Sequence, residues 1–214
     1  MAKKRQIKPT GKIHPVEFTD GSFKIAKNKF VFPEAKADIE NKIANYFLKV
    51  AAKYNKYPFP ERMKLISNKE NDLDFSLKSK NFEYLLELTE ITPPGQMKGG
   101  YKELSTRVNS GDHAAKIIEL ILKKSKKYIG IKSKIALLMY ATDFRSAPSP
   151  HTQTLVMDFL NKVPLNFVMI FEIIPSLEDD GFYKQYYPNT NLKLAEKRVE
   201  MLKRTPSVIF KPDL

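Results

Sequence analysis

Hydrophobic positions change period from one segment of the chain to the next, and each change marks an element. From Pro33 to about Tyr54, Ile39, Ile43, Tyr46, Phe47, Val50, Ala51 and Tyr54 recur at helical spacing, so the segment reads as an amphipathic helix opened by proline. Pro58 and Pro60 end it, because each proline drives the residue before it out of the α region. A short strand is expected near Met63 to Ser67. Between Asn71 and Glu90 the period falls to two. Leu73, Phe75 and Leu77 alternate with Asp72, Asp74 and Ser76; Lys78 to Asn81 supplies a turn; Tyr84, Leu86 and Leu88 then alternate with Glu83, Glu87 and Thr89. This predicts a β-hairpin whose polar face carries acids on both strands.

From Thr92 to Gly111 the pattern is lost in about 20 residues rich in Gly and Pro that carry Lys98, Tyr101, Lys102 and Arg107. A loop of that length inside a domain is usually functional or disordered, and a basic flap over the acidic strands is the functional reading. No GxxxxGK[ST] motif occurs, so it is not a phosphate-cradling P-loop. Helical period returns from Asp112, read as an N-cap, to Tyr128. Ala115, Ile117, Ile118, Ile121, Leu122 and Ser125 are expected inward and Lys116, Glu119 and Lys123 outward. Lys124, Lys126 and Lys127 complement the helix dipole at its C-terminal end. Lys134 to Thr142 and Asn166 to Pro175 are nearly continuous apolar runs, as in strands covered on both faces. A helix from Ser149 to Lys162 joins them, which predicts a parallel crossover unit. An edge strand at Phe182–Tyr187 and a terminal helix from Leu192 to Arg204 complete the pattern. Asp143 and Arg145 lie just past a buried strand, where α/β sheets tend to place ligands.

Composition narrows the function. The 214 residues fit one domain, 33–214, behind a basic arm, 1–32, that holds a short hairpin around Asp20-Gly21. No cysteine is present, and His14, His113 and His151 show no paired spacing, which excludes disulfide frameworks and thiolate zinc sites and leaves oxygen ligands for any metal. No apolar run reaches the roughly 18 to 20 residues of a membrane span, and the N-terminus lacks a secretory h-region. A soluble cytoplasmic protein is expected, without a membrane partner. With 37 basic against 24 acidic residues, net charge is +13, and a polyanion that releases counterions on binding, nucleic acid first, is the expected partner.

Taken together, the helix, the three-strand meander, the second helix and the buried strands resemble the PD-(D/E)XK nuclease superfamily over Pro33 to Tyr187. The resemblance implies a restriction-endonuclease-like α/β fold, an αβββαβ core with a mixed central sheet flanked by helices. Position by position, Asp74 matches the first signature acid, Glu87 the second and Glu40 the glutamate of the first helix. Thr89 stands where the family usually has lysine. The resemblance implies an endonuclease acting on DNA, with Asp74 and Glu87 holding Mg²⁺ or Mn²⁺ and with a homodimer suited to double-strand cutting. A substitute for the missing lysine is expected from Lys116, or from Lys98 in the loop. Lys98, Lys102 and Arg107, with Lys3, Lys4 and Arg5 of the arm, are the expected nucleic-acid contacts. The alternative that Thr89 keeps open is a catalytically inactive nuclease fold that binds nucleic acid.

Overall fold

The computed structural model describes residues 16–19, 22–25, 30–53, 57–68, 73–92, 109–142 and 146–188. Its elements in chain order are β1 (Val16–Thr19), β2 (Ser22–Ile25), α1 (Lys36–Lys53), β3 (Lys64–Ser67), β4 (Phe75–Lys78), β5 (Glu83–Glu90), α2 (Ser110–Lys127), β6 (Ile135–Tyr140), α3 (Pro150–Leu160), β7 (Met169–Pro175) and β8 (Gly181–Tyr187). From α1 to β6 this is the expected αβββαβ order, extended by α3, β7 and β8. In the basic arm β1 pairs antiparallel with β2, Thr19 opposite Ser22, while Asp20 and Gly21 lie outside the described residues.

Six strands form one mixed sheet in the order β3-β4-β5-β6-β7-β8. The meander β3-β4-β5 is antiparallel, β5, β6 and β7 are parallel, and β8 returns antiparallel along the far edge. Two parallel neighbours require crossovers, which α2 and α3 supply. The alternation read in the hairpin sorts its residues to two layers. Phe75, Leu77, Tyr84, Leu86 and Leu88 join Ile39, Ile43, Phe47 and Val50 of α1 on one face of the sheet. On the opposite face Ile117 and Ile121 of α2 and Val156 and Leu160 of α3 pack over Leu137, Met139 and Ile170. Every residue of β6 is buried, which accounts for its lack of alternation.

The helix starts differ from the sequence expectation in two places: α1 begins at Lys36, three residues past the proline expected to open it, and α2 begins ahead of Asp112. The N-cap of α2 is Asn109, whose Oδ1 accepts from the Gly111 and Asp112 amides at 2.7 and 3.4 Å, so Asp112 lies within the first turn rather than before it. Asparagine caps as well as aspartate, and the two candidates sit three residues apart. Ala115 is consequently exposed, while His113 and Ala114 are buried. The N-termini of α2 and α3 meet where the Ser110 and Ser149 hydroxyls lie 3.1 Å apart and Thr152 Oγ1 donates to Ser110 O. At the far edge α1 is fastened to β8 by the Tyr46 hydroxyl, which donates to the Asp180 carbonyl beside Gly181. No described helix is long and apolar enough to cross a membrane.

Candidate active site

Register places the two acids of the hairpin side by side. The ladder ends with Phe75 opposite Leu86, which brings Asp74, the residue just before β4, next to Glu87, the residue just after Leu86. Asp74 is fixed there by the backbone, its Oδ2 accepting from the Leu88 amide at 2.6 Å. The face is not a solvated one: Glu87 is 3% exposed and Thr89 7%. A carboxylate so far from water needs a counter-charge. Lys124 of α2 supplies it, its Nζ donating to Glu87 Oε1.

A third carboxylate and a second ammonium close the group. In the first turns of α1, Lys36 Nζ lies 3.2 Å from Glu40 Oε1. Burial raises the pKa of Glu40, and the charge of Asp74 adds to the rise. Burial also raises that of Asp74 and Glu87 adds to it, against the Leu88 amide, Lys124 and Lys36. For Lys36 burial works the other way, but Glu40, Asp74 and Glu87 outweigh it and hold the ammonium above its ordinary range. Three carboxylates from two strands and a helix therefore feel one another across a small space and are balanced by two lysines, leaving one negative charge in excess.

Among the described residues no three His, Asp or Glu side chains are gathered closely enough to make a metal-binding group by themselves. A Mg²⁺ ion asks for less, since it usually takes one or two carboxylates and completes its shell with water and phosphate oxygens. The two acids fit that demand: among the described residues Asp74 engages Oδ2 with a backbone amide and Glu87 engages Oε1 with Lys124, which would leave the second oxygen of each for a cation.

Of the residues singled out in the sequence, Asp74, Glu87 and Glu40 come together, with Thr89 two residues beyond Glu87 on the same buried face. Lys116 lines a separate cleft of about 250 Å³ with Ile91, Thr92, Glu119 and Lys123. The lysine on the acidic pair is Lys124, which sequence reasoning assigned to the helix dipole. A signal for it existed: Lys124 follows Ile117 and Ile121 at i+7 and i+3, which puts a cation on the inward stripe. Lys98, Lys102 and Arg107 of the loop, Lys3, Lys4 and Arg5 of the arm, Asp143, Arg145 and the terminal helix lie outside the described residues.

Compared with known proteins, the chain matches no family model and no curated protein. Among solved structures it is similar to one described as Pyrococcus furiosus SfsA in complex with Ca²⁺, at 11% identity and a TM-score of 0.32, over 82% of this chain and 76% of that one. A likeness of that size carries no argument about the site, and the α/β assignment stands on the chain's own mixed six-stranded sheet between helices.

Proposed function

We propose that the chain is a metal-dependent phosphodiester hydrolase acting on nucleic acid, DNA in particular, with Asp74 and Glu87 as ligands for Mg²⁺ or Mn²⁺. The observation that carries the reading is the lysine of α2 seated on the buried Glu87 beside Asp74. It puts an ammonium next to the two acids although position 89 is a neutral threonine. A bound divalent cation would polarise the scissile phosphate and lower the pKa of the attacking water. Lys124 would stabilise charge developing on the phosphate, the role that the resemblance gives to a lysine at position 89. Glu40 would orient the attacking water, and Lys36 would offset the charge of Glu40. The net charge of +13 favours approach of a polyanion.

The test is Mn²⁺ titration by calorimetry alongside cleavage of plasmid and linear DNA. Asp74→Asn should weaken Mn²⁺ binding by at least about 10-fold, the loss seen even for outer-shell partners of metals, and should abolish cleavage without unfolding the domain. A wild-type protein that binds no Mn²⁺ and leaves DNA intact would sink the proposal. Thr89 favours a second reading, a nuclease fold that binds DNA without cutting it. On that reading affinity falls steeply with salt, and Asp74→Asn leaves it unchanged or raises it.

A further inference from the structure

Away from the acidic pair, one carboxylic acid lies wholly inside the sheet and takes no part in the proposed reaction. Glu172 of β7 is 0% exposed, on the face covered by α3. Two elements reach it: Gln153 Nε2 from the first turn of α3 donates to Oε2 at 2.9 Å, and the Tyr186 hydroxyl from β8 donates to the same oxygen at 2.8 Å. The other oxygen, Oε1, has no hydrogen-bonding partner among the described residues. Both donors therefore serve one oxygen, and an ionised carboxylate would hold its second oxygen against apolar neighbours without compensation. A proton on Oε1 removes that charge and keeps both existing bonds.

We propose that Glu172 is a proton-operated clamp, which in its neutral form fastens α3 and the edge strand β8 to β7 and on ionising releases them. The surroundings are consistent with this. Across the ladders Glu172 faces Met139 on β6 and Lys184 on β8. Lys184 is the charge that bears on it, and it acts to lower the pKa, as do the Tyr186 and Gln153 bonds; burial outweighs all three and pushes the carboxyl up to about 7. From α2 the same layer receives His113, buried, whose pKa is lowered by burial and by Lys116. The sign follows from linkage. The folded protein holds a proton that the unfolded chain, with an ordinary value of 4.5, gives up, so stability is full below about 4.5 and is lost as pH rises to about 7. Since the N-terminus of α3 also meets that of α2, release at Glu172 loosens the layer to which Lys124 belongs.

The experiment compares thermal unfolding of the wild type and Glu172→Gln from pH 5.5 to 8.5, with amide exchange read in parallel. The isosteric amide keeps a neutral acceptor for Gln153 and Tyr186. Across this range the wild-type midpoint should fall by about 5 °C more than that of the variant. Exchange in α3 and β8 should quicken with pH in the wild type alone, beyond the intrinsic chemical rate. Parallel pH profiles for the two proteins would overturn the clamp. Should Glu172→Gln fail to fold, carbon-detected titration of the wild type with the Glu172 carboxyl resonance assigned decides: titration of Glu172 near 7 supports the proposal, and its titration near 4.5 overturns it.

Discussion

Lys124→Met is expected to reduce DNA cleavage by about 100-fold or more, the scale on which removal of one transition-state charge partner is felt. The same change should lower stability by about 2 to 3 kcal/mol, because it strands the carboxylate of Glu87 in the sheet without its counter-charge. The figure is kept below the full cost of breaking a buried pair, since the Lys124 side chain is 29% exposed and water reaches one end of it. Urea unfolding at pH 7 and plasmid cleavage with Mn²⁺ read the two effects separately. Adding Glu87→Gln to Lys124→Met should restore most of the stability, since the stranded charge is then gone, and none of the activity. A stability deficit that persists in the double variant would show that Lys124 contributes by packing its stem, and the role assigned to its charge would be wrong.

A second large loss is expected at the far edge of the sheet from Gly181→Ala. A Cβ there would lie 2.9 Å from the Ile174 carbonyl and would collide with the Tyr46 hydroxyl, which donates to Asp180 O. The backbone oxygen belongs to β7 and cannot swing aside, so Tyr46 must move and its donor loses its acceptor. Overpacking and a lost hydrogen bond together should cost about 2 to 4 kcal/mol, measured by urea unfolding. Combining Gly181→Ala with Tyr46→Phe should cost less than the sum of the two single changes, because phenylalanine lacks the atom that is struck. Strict additivity would mean that the close approach of α1 to β8 is not what excludes a side chain at position 181.

How far the chain could be read in advance depended on whether one element or several decided each feature. The hairpin was legible because alternation in Phe75 to Leu77 and Tyr84 to Leu88 records a single local fact, which residues meet the α1 layer; Leu73, expected on that face, packs instead against the α2 and α3 layer, since it lies before the paired strand. The turn length then set the ladder so that Asp74 comes next to Glu87 just past its end. What alternation could not show was whether that face is wet. Burial of Glu87 and Thr89 comes from α2 covering the sheet, and it converts a pair of surface acids into groups that require a partner. The expectation of Lys116, where the structure has Lys124, has the same origin. Both lie on α2, and the choice turns on helix rotation, which depends on which of Ala114, Ala115, Ile117 and Ile118 packs inward. Glu172 was hidden for the opposite reason: inside the run Met169 to Pro175 a lone acid reads as noise, and its partners come from α3 and β8.

The two contacts that hold the acidic pair differ in the length of chain they span, with a consequence for how the protein is made. Leu88 and Asp74 are 14 residues apart, whereas Lys124 and Glu87 are separated by 37. The first contact closes with a hairpin, an event of microseconds; the second waits for α2 to form and dock on the sheet, a less local step. Because synthesis proceeds from the N-terminus, the hairpin is free to fold before α2 and its lysine are. Until β6 pairs with it, β5 is an edge strand that carries Glu83, Glu87 and Glu90, and charge on an exposed edge keeps nascent chains from pairing with one another. Glu87, one of the two carboxylates proposed to hold the metal, would thus first help keep the chain apart from its neighbours while it folds.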